Sequence, residues 1–246
     1  MNWNFEMEDF SSIINWDNLL KKSQDFQNNK PFKFGFIEEF FNEDFYKKLY
    51  DTYPKIDDSW SVISTPSKYQ HAKFWNRNNS SELETLTDEE DKSVSPEWNK
   101  LKRYIMTEEF IKKFEAFSGL ENLRCKYFCF LAYKQGGFQL PHTHNFGPST
   151  LTIMIYLSKG WQQGDPGGTY MSTEEDESTI IFEPYNLDNT MALFQDAPNA
   201  AHGARYLTKN VVRQAIQITL EGYSAKDGWT GGHGVENFIA ELEKEE

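Results

Sequence analysis

The chain has 246 residues and a mass of 28.8 kDa, enough for one sizeable core. Acidic residues outnumber basic ones 38 to 25, a net charge of −13 that argues against nucleic acid and anionic membranes as partners, since both need a basic face. Aromatic residues make up 16%, too many for a disordered chain, and no apolar run reaches the roughly 20 residues a membrane helix needs.

Met1–Glu6 carries neither the basic nor the apolar region of a signal peptide, so a cytoplasmic location is expected. Residues 8–28 show helical periodicity through Phe10, Ile13, Ile14, Leu19 and Leu20. Residues 31–37 alternate and read as a short strand. Asn42 then caps a helix with Phe45, Leu49 and Tyr50 on its apolar face, ending before Pro54. Residues 55–98 are the least regular part, and their acidic, polar stretch from Asn79 to Pro96 reads as a surface loop or a short exposed helix. Helical spacing returns over 97–118.

From about residue 123 the pattern changes to short strands at 124–134, 150–157, 167–172, 178–183, 190–195 and 211–221, separated by glycine and proline turns. Such spacing implies a sandwich or barrel preceded by helices that can pack on one sheet, an α+β arrangement in one domain. The expected layout is a mainly helical part over 1–122, a strand-built core over 123–221, and a glycine-rich loop with a C-terminal helix over 222–246. Cys125 and Cys129 fall four apart in a strand, roughly 13 Å at about 3.3 Å per residue. That is too far for a disulfide, so both are expected as buried free thiols.

Only five histidines occur, and three belong to one pattern: His142-Thr143-His144, then His202 just before the last core strand. Residues two apart in an extended segment project to one side, so His142 and His144 can share a metal, with His202 as third ligand. Neutral imidazoles suit Fe, Zn, Cu and Ni. His71 and His233 read as surface or satisfied core residues. Strand alternation places Val212, Ile216, Ile218 and Leu220 on one face of 211–221, and Arg213, Ala215, Gln217 and Thr219 on the other. An arginine in so apolar a strand needs a partner, either a protein carboxylate or a ligand carboxylate held bidentately. Tyr133 and Tyr156 can add hydroxyl donors.

These residues, in this order, resemble the Fe(II)/2-oxoglutarate-dependent oxygenases, and in particular their prolyl-hydroxylase-like branch. Tyr133–Phe138 is similar to the tyrosine strand and glycine turn, Leu140–Asn145 to the His-x-Asp-Asn segment, and Leu151–Trp161 to the Leu-Thr-x-x-x-Tyr-Leu-Asn-x-x-Trp strand. Gly167-Gly168, His202-Gly203, Arg213 and the opening Lys30–Ile37 continue the match over roughly residues 30–221. The resemblance implies a double-stranded β-helix (jelly-roll, cupin-like) core with N-terminal helices packed on its major sheet. It implies Fe(II) on His142 and His202, O2, and 2-oxoglutarate as cosubstrate held by Arg213, with Tyr156 and Tyr133 assisting.

Gln217 stands where a hydroxyl residue often completes that grip, and His144 stands where the branch has its metal-binding carboxylate. A carboxylate would leave the iron site at formal charge +1; three neutral histidines leave it at +2. The expected function is a hydroxylase-type oxygenase with a three-histidine iron site, acting on a small-molecule, sugar-linked or peptide substrate. Two alternatives stay open: a cupin-like three-histidine dioxygenase that does not use 2-oxoglutarate, and a jelly-roll binding protein without catalysis. Asn145, the 75–78 loop and the 229–233 loop are expected at the pocket rim.

Overall fold

The computed structural model describes residues 8–75, 90–144, 146–224, 226 and 228–230. Among the described residues there are five α-helices: α1 (Trp16–Leu20), α2 (Ser23–Gln27), α3 (Glu43–Asp51), α4 (Pro96–Ile105) and α5 (Glu108–Ser118). Twelve strands follow the order β1 (Phe34–Glu38), β2 (Ser61–Thr65), β3 (Lys68–Phe74), β4 (Leu123–Tyr133), β5 (Phe138–His142), β6 (Thr150–Leu157), β7 (Tyr170–Ser172), β8 (Ile180–Phe182), β9 (Asp188–Gln195), β10 (Ala201–Ala204), β11 (Arg213–Ser224) and β12 (Gly228–Trp229). They form one antiparallel sheet in the order β1-β9-β6-β11-β4-β3-β5-β10-β7-β8, with β2 beside β3 and β12 beside β11.

This long sheet curls on itself into a jelly-roll. Period-2 alternation gives its central strands two different apolar faces. Ile153, Ile155, Met191, Leu193, Phe128, Phe130, Ile216 and Ile218 turn outward against the helices, in a core that includes Trp98, Phe110 and Phe114. Met154, Tyr156, Cys129, Leu131, Ala192, Phe194 and Ala215 turn inward and meet Met171, Leu187 and Ala200 from the opposite wall. Because both faces of β6 are covered, all eight of its residues are buried. The helices thus pack on the major sheet, and the inner face is left to build a cavity.

The structure refines the sequence reading in several places. The helical stretch 8–28 is two short helices preceded by a bridge between Ile14 and Phe41. Asn15 interrupts it by capping α1, its side chain accepting from Asn18 N–H at 3.3 Å. The stretch 97–118 is broken at Thr107, whose hydroxyl caps α5 through Phe110 N–H at 3.2 Å. Residues 61–74, read as irregular, are the β2–β3 hairpin. The apolar alternation is missing because β2 is largely exposed and the inner face of β3 presents Lys68 and Gln70 to the cavity. β11 starts at Arg213 and not at 211; Val211 and Val212 are exposed and outside the apolar face. Cys125 and Cys129 are buried free thiols. The expected C-terminal helix lies outside the described residues.

Candidate metal centre

Two short strands set the site. β5 and β10 pair antiparallel with His202 opposite His142, so the two imidazoles leave the same wall side by side, ring centroids 4.3 Å apart. The chain leaves β5 after His142, and His144 returns from the next extended step to lie 5.1 Å from His142 and 4.5 Å from His202. One nitrogen from each ring falls within 4.8 Å of the others. The histidine triad expected from the sequence is therefore brought together.

Hydrogen bonding selects which nitrogen each ring presents. Nδ1 of His142 lies 3.1 Å from the Leu140 carbonyl, and Nδ1 of His202 lies 3.2 Å from the Ala200 carbonyl. With Nδ1–H donated to a carbonyl, Nε2 carries the ring's lone pair. Nε2 of His142 accepts from the Gln139 amide at 2.9 Å. Burial, helped by the neighbouring imidazoles, pushes His142 down to about 4 and holds His202 well below the ordinary histidine value. Both rings are thus neutral near pH 7, the state in which an imidazole can ligate a metal.

His144 is fixed differently. Its Nδ1 faces Oδ1 of the buried Asp196 at 3.6 Å. The residue between His142 and His144 is anchored from outside, because Glu175 accepts from both the N–H and the hydroxyl of Thr143, each at 2.9 Å.

The histidines open into a cavity of about 370 Å³ lined by Lys68, Gln70, Tyr133, Gln139, Gln217 and Thr219, among others. At one mouth Lys126 pairs with the buried Glu221 at 2.7 Å and lies over the Phe146 and Trp229 rings. At the inner end the cavity reaches Thr169 and Tyr133; Arg213 packs on the Tyr133 ring, and neither Arg213 nor Tyr156 lines the cavity itself. The Arg213 side chain is 1% exposed, its Nε donates to the Gly167 carbonyl at 2.9 Å, and its carbon sits 4.7 and 4.9 Å from the Tyr133 and Tyr156 ring centres. Nη1 is buried without a hydrogen-bond acceptor, and among the described residues no carboxylate pairs with the guanidinium. The Tyr156 hydroxyl accepts from Thr169 N–H at 2.9 Å, which leaves its own proton free to donate; the Tyr133 hydroxyl donates to Gln70 at 3.1 Å. Burial raises both phenols, to about 12 for Tyr133, with Arg213 opposing the rise.

The sequence did not single out Asp196, Glu175, Lys68, Gln70 or Gln139. Each lies in a strand or turn with no motif of its own, and only the closing of the jelly-roll brings it to the site. A weak signal existed in β3, where polar residues alternate with Tyr69 and His71. Trp75 corrects the rim expectation: it is buried in the helix-side core, stacked on Phe130. Trp229 does lie near the mouth, over Lys126, while Asn145, residues 76–78 and 231–233 fall outside the described residues. His71 is buried in the core, but its Nδ1 has no hydrogen-bond partner among the described residues, so it is neither the surface nor the satisfied core residue expected.

Neither a protein-family model nor a curated protein matches the sequence. Solved structures do match the fold. A prolyl-4-hydroxylase from Pseudomonas putida aligns over 84% of this chain and 100% of its own, at 13% identity and a TM-score of 0.53. An oxidoreductase of the 2-oxoglutarate–Fe(II) oxygenase family from Burkholderia pseudomallei aligns over 83% and 90%, at 9% identity and a TM-score of 0.58. The chain has the fold of these oxygenases. A prolyl hydroxylase from Trichoplax adhaerens, solved with a hypoxia-inducible-factor peptide fragment, extends the likeness to 92% of this chain and 91% of that one, at 12% identity and a TM-score of 0.54.

Proposed function

We propose that the protein is a non-haem Fe(II), 2-oxoglutarate-dependent oxygenase of the hydroxylase type, with His142, His144 and His202 holding the metal. The observation that carries this reading is Arg213: a buried guanidinium without a protein carboxylate, packed against the inner end of a cavity whose wall holds three convergent histidines. An uncompensated buried charge is costly, and a guanidinium matches a carboxylate better than any other ligand group. The donor set fits iron, because three imidazole nitrogens suit a divalent first-row metal, and the orphaned Nη1 fits the distal carboxylate of 2-oxoglutarate.

When bound, Fe(II) with O2 and 2-oxoglutarate supplies the oxidising power that converts a substrate C–H into C–OH while yielding succinate and CO2. The chain's own residues do the positioning. Arg213 and the free Tyr156 proton orient the cosubstrate's far end, and Gln217 offers an amide in place of a hydroxyl. The leucine, phenylalanine and methionine side chains of the inner core exclude water around the reacting region. Thr143, tied to Glu175, keeps two ligands at a constant spacing.

The substrate is a small molecule, a sugar-linked metabolite or a peptide side chain. Lys68 adds a second cation to the cavity wall and favours an anionic group on whatever binds there. A three-histidine dioxygenase without 2-oxoglutarate would leave Arg213 without a role, and a non-catalytic binding protein would have no use for three convergent imidazoles beside that arginine. The test is substrate-independent turnover: Fe(II)-loaded protein should release succinate from 2-oxoglutarate only when O2 is present. O2 uptake on adding candidate substrates without 2-oxoglutarate would favour the three-histidine alternative instead.

A further inference from the structure

We infer that Asp196 is the positioning residue of the metal centre, the acceptor that turns His144 into a ligand and supplies one atom shell further out the carboxylate missing from position 144. The inference rests on the metal-centre reading above.

Three observations converge on it. His142 and His202 each donate Nδ1–H to the carbonyl two residues earlier, but Nδ1 of His144 is buried and has no hydrogen-bond acceptor. Asp196, just beyond the end of β9, is 2% exposed, and neither of its carboxylate oxygens has a hydrogen bond. The two orphans face each other, Nδ1 to Oδ1, at 3.6 Å. A shift of a few tenths of an ångström satisfies both groups, whereas either alone is an expensive buried group. No lysine or arginine among the described residues pairs with Asp196.

The chemistry follows from metalloprotein ligation in general. A carboxylate on Nδ1–H fixes the tautomer with Nε2 free, locks the ring's orientation and makes the imidazole a stronger donor. Asp196 is anchored through its backbone, with N–H on the Thr150 carbonyl at 3.0 Å, so Asp196→Asn leaves the main-chain anchor in place. A consequence sets this apart from simple packing. Replacing His144 by aspartate would put two carboxylates side by side at the site, and only removal of the Asp196 charge would make the shorter ligand tolerable.

Co(II) titration of the full chain, read by absorbance, tests this with Asp196→Asn, His144→Asp and the double variant. Asp196→Asn should bind Co(II) roughly 10- to 100-fold more weakly than wild type with unchanged circular dichroism. The double variant should bind more tightly than His144→Asp alone. Wild-type affinity in Asp196→Asn, or no gain in the double variant, would overturn the inference. Should Asp196→Asn fail to fold, long-range 1H–15N spectra of Zn(II)-loaded wild type decide. They should show His144 protonated at Nδ1 and metal-bound at Nε2; ligation through Nδ1 contradicts the inference. His202→Ala separates the two claims: if it keeps wild-type Co(II) affinity, the metal-centre reading itself fails. If it loses the metal while Asp196→Asn does not, only the role of Asp196 falls.

Discussion

Arg213 and the three histidines are the residues whose placement says most about the chemistry. The guanidinium is clamped between two tyrosine rings with Nε spent on Gly167, and its Nη1 is buried without an acceptor among the described residues. That geometry predicts that Arg213→Lys, although it keeps the charge, will not replace the fork, because an ammonium offers no planar pair of donors. The dissociation constant for 2-oxoglutarate, measured by calorimetry on metal-loaded protein, should rise by at least about tenfold, the equivalent of roughly 1.4 kcal/mol. An unchanged constant would place the cosubstrate elsewhere. These residues were legible in the sequence because each carries its signal locally: a histidine pair at spacing two, and an arginine breaking an apolar alternation. Asp196 and Glu175 were not, because what they do depends on which strand end they meet across the barrel.

At the scale of elements, the site depends on how closely β5, β10 and β7 approach. Gly203, next to His202, has no room for a side chain: a Cβ there would meet the Tyr170 hydroxyl and, at 2.6 Å, the Gln139 carbonyl oxygen. Backbone cannot yield as a flexible side chain does, so Gly203→Ala should push β10 away from β5 and spoil the His142–His202 register. The expected result is a lower melting temperature together with weaker Co(II) binding; a change in neither would show that the strands have slack. The helical layer is tied to the barrel at Asn189. Its side chain accepts from Phe41 N–H and donates to the Phe41 carbonyl, both at 2.9 Å, and its backbone sits at φ 54°, which asparagine tolerates better than most residues. Asn189→Ala strands two buried backbone groups and should cost about 3 kcal/mol in denaturant unfolding. A loss under about 0.5 kcal/mol, the level of a neutral surface change, would contradict that role. Strands with a covered apolar face, such as β6, were read correctly from alternation and apolar runs. β3 was missed because the cavity replaces apolar side chains by Lys68 and Gln70 on the face that faces inward.

For the whole molecule, the likeness to oxygenases of known fold at 9–13% identity means that architecture persists where sequence does not. In this chain that architecture consists of the outward and inward alternation of the central strands, the helices on one face and a cavity on the other. The chain's charge of −13 surrounds a cavity whose wall carries Lys68 and the Lys126–Glu221 ion pair, with Arg213 packed against its inner end. No helix among the described residues is long and apolar enough to cross a membrane.

The central claim is that three histidines hold Fe(II) beside an arginine that awaits the carboxylate of 2-oxoglutarate. Anaerobic titration of Fe(II)-loaded protein with 2-oxoglutarate tests it most directly. A saturable visible charge-transfer band should appear in the wild type, be absent in His202→Ala, and demand far higher 2-oxoglutarate in Arg213→Ala. No band in the wild type, or a band whose titration is unchanged in Arg213→Ala, would contradict the account.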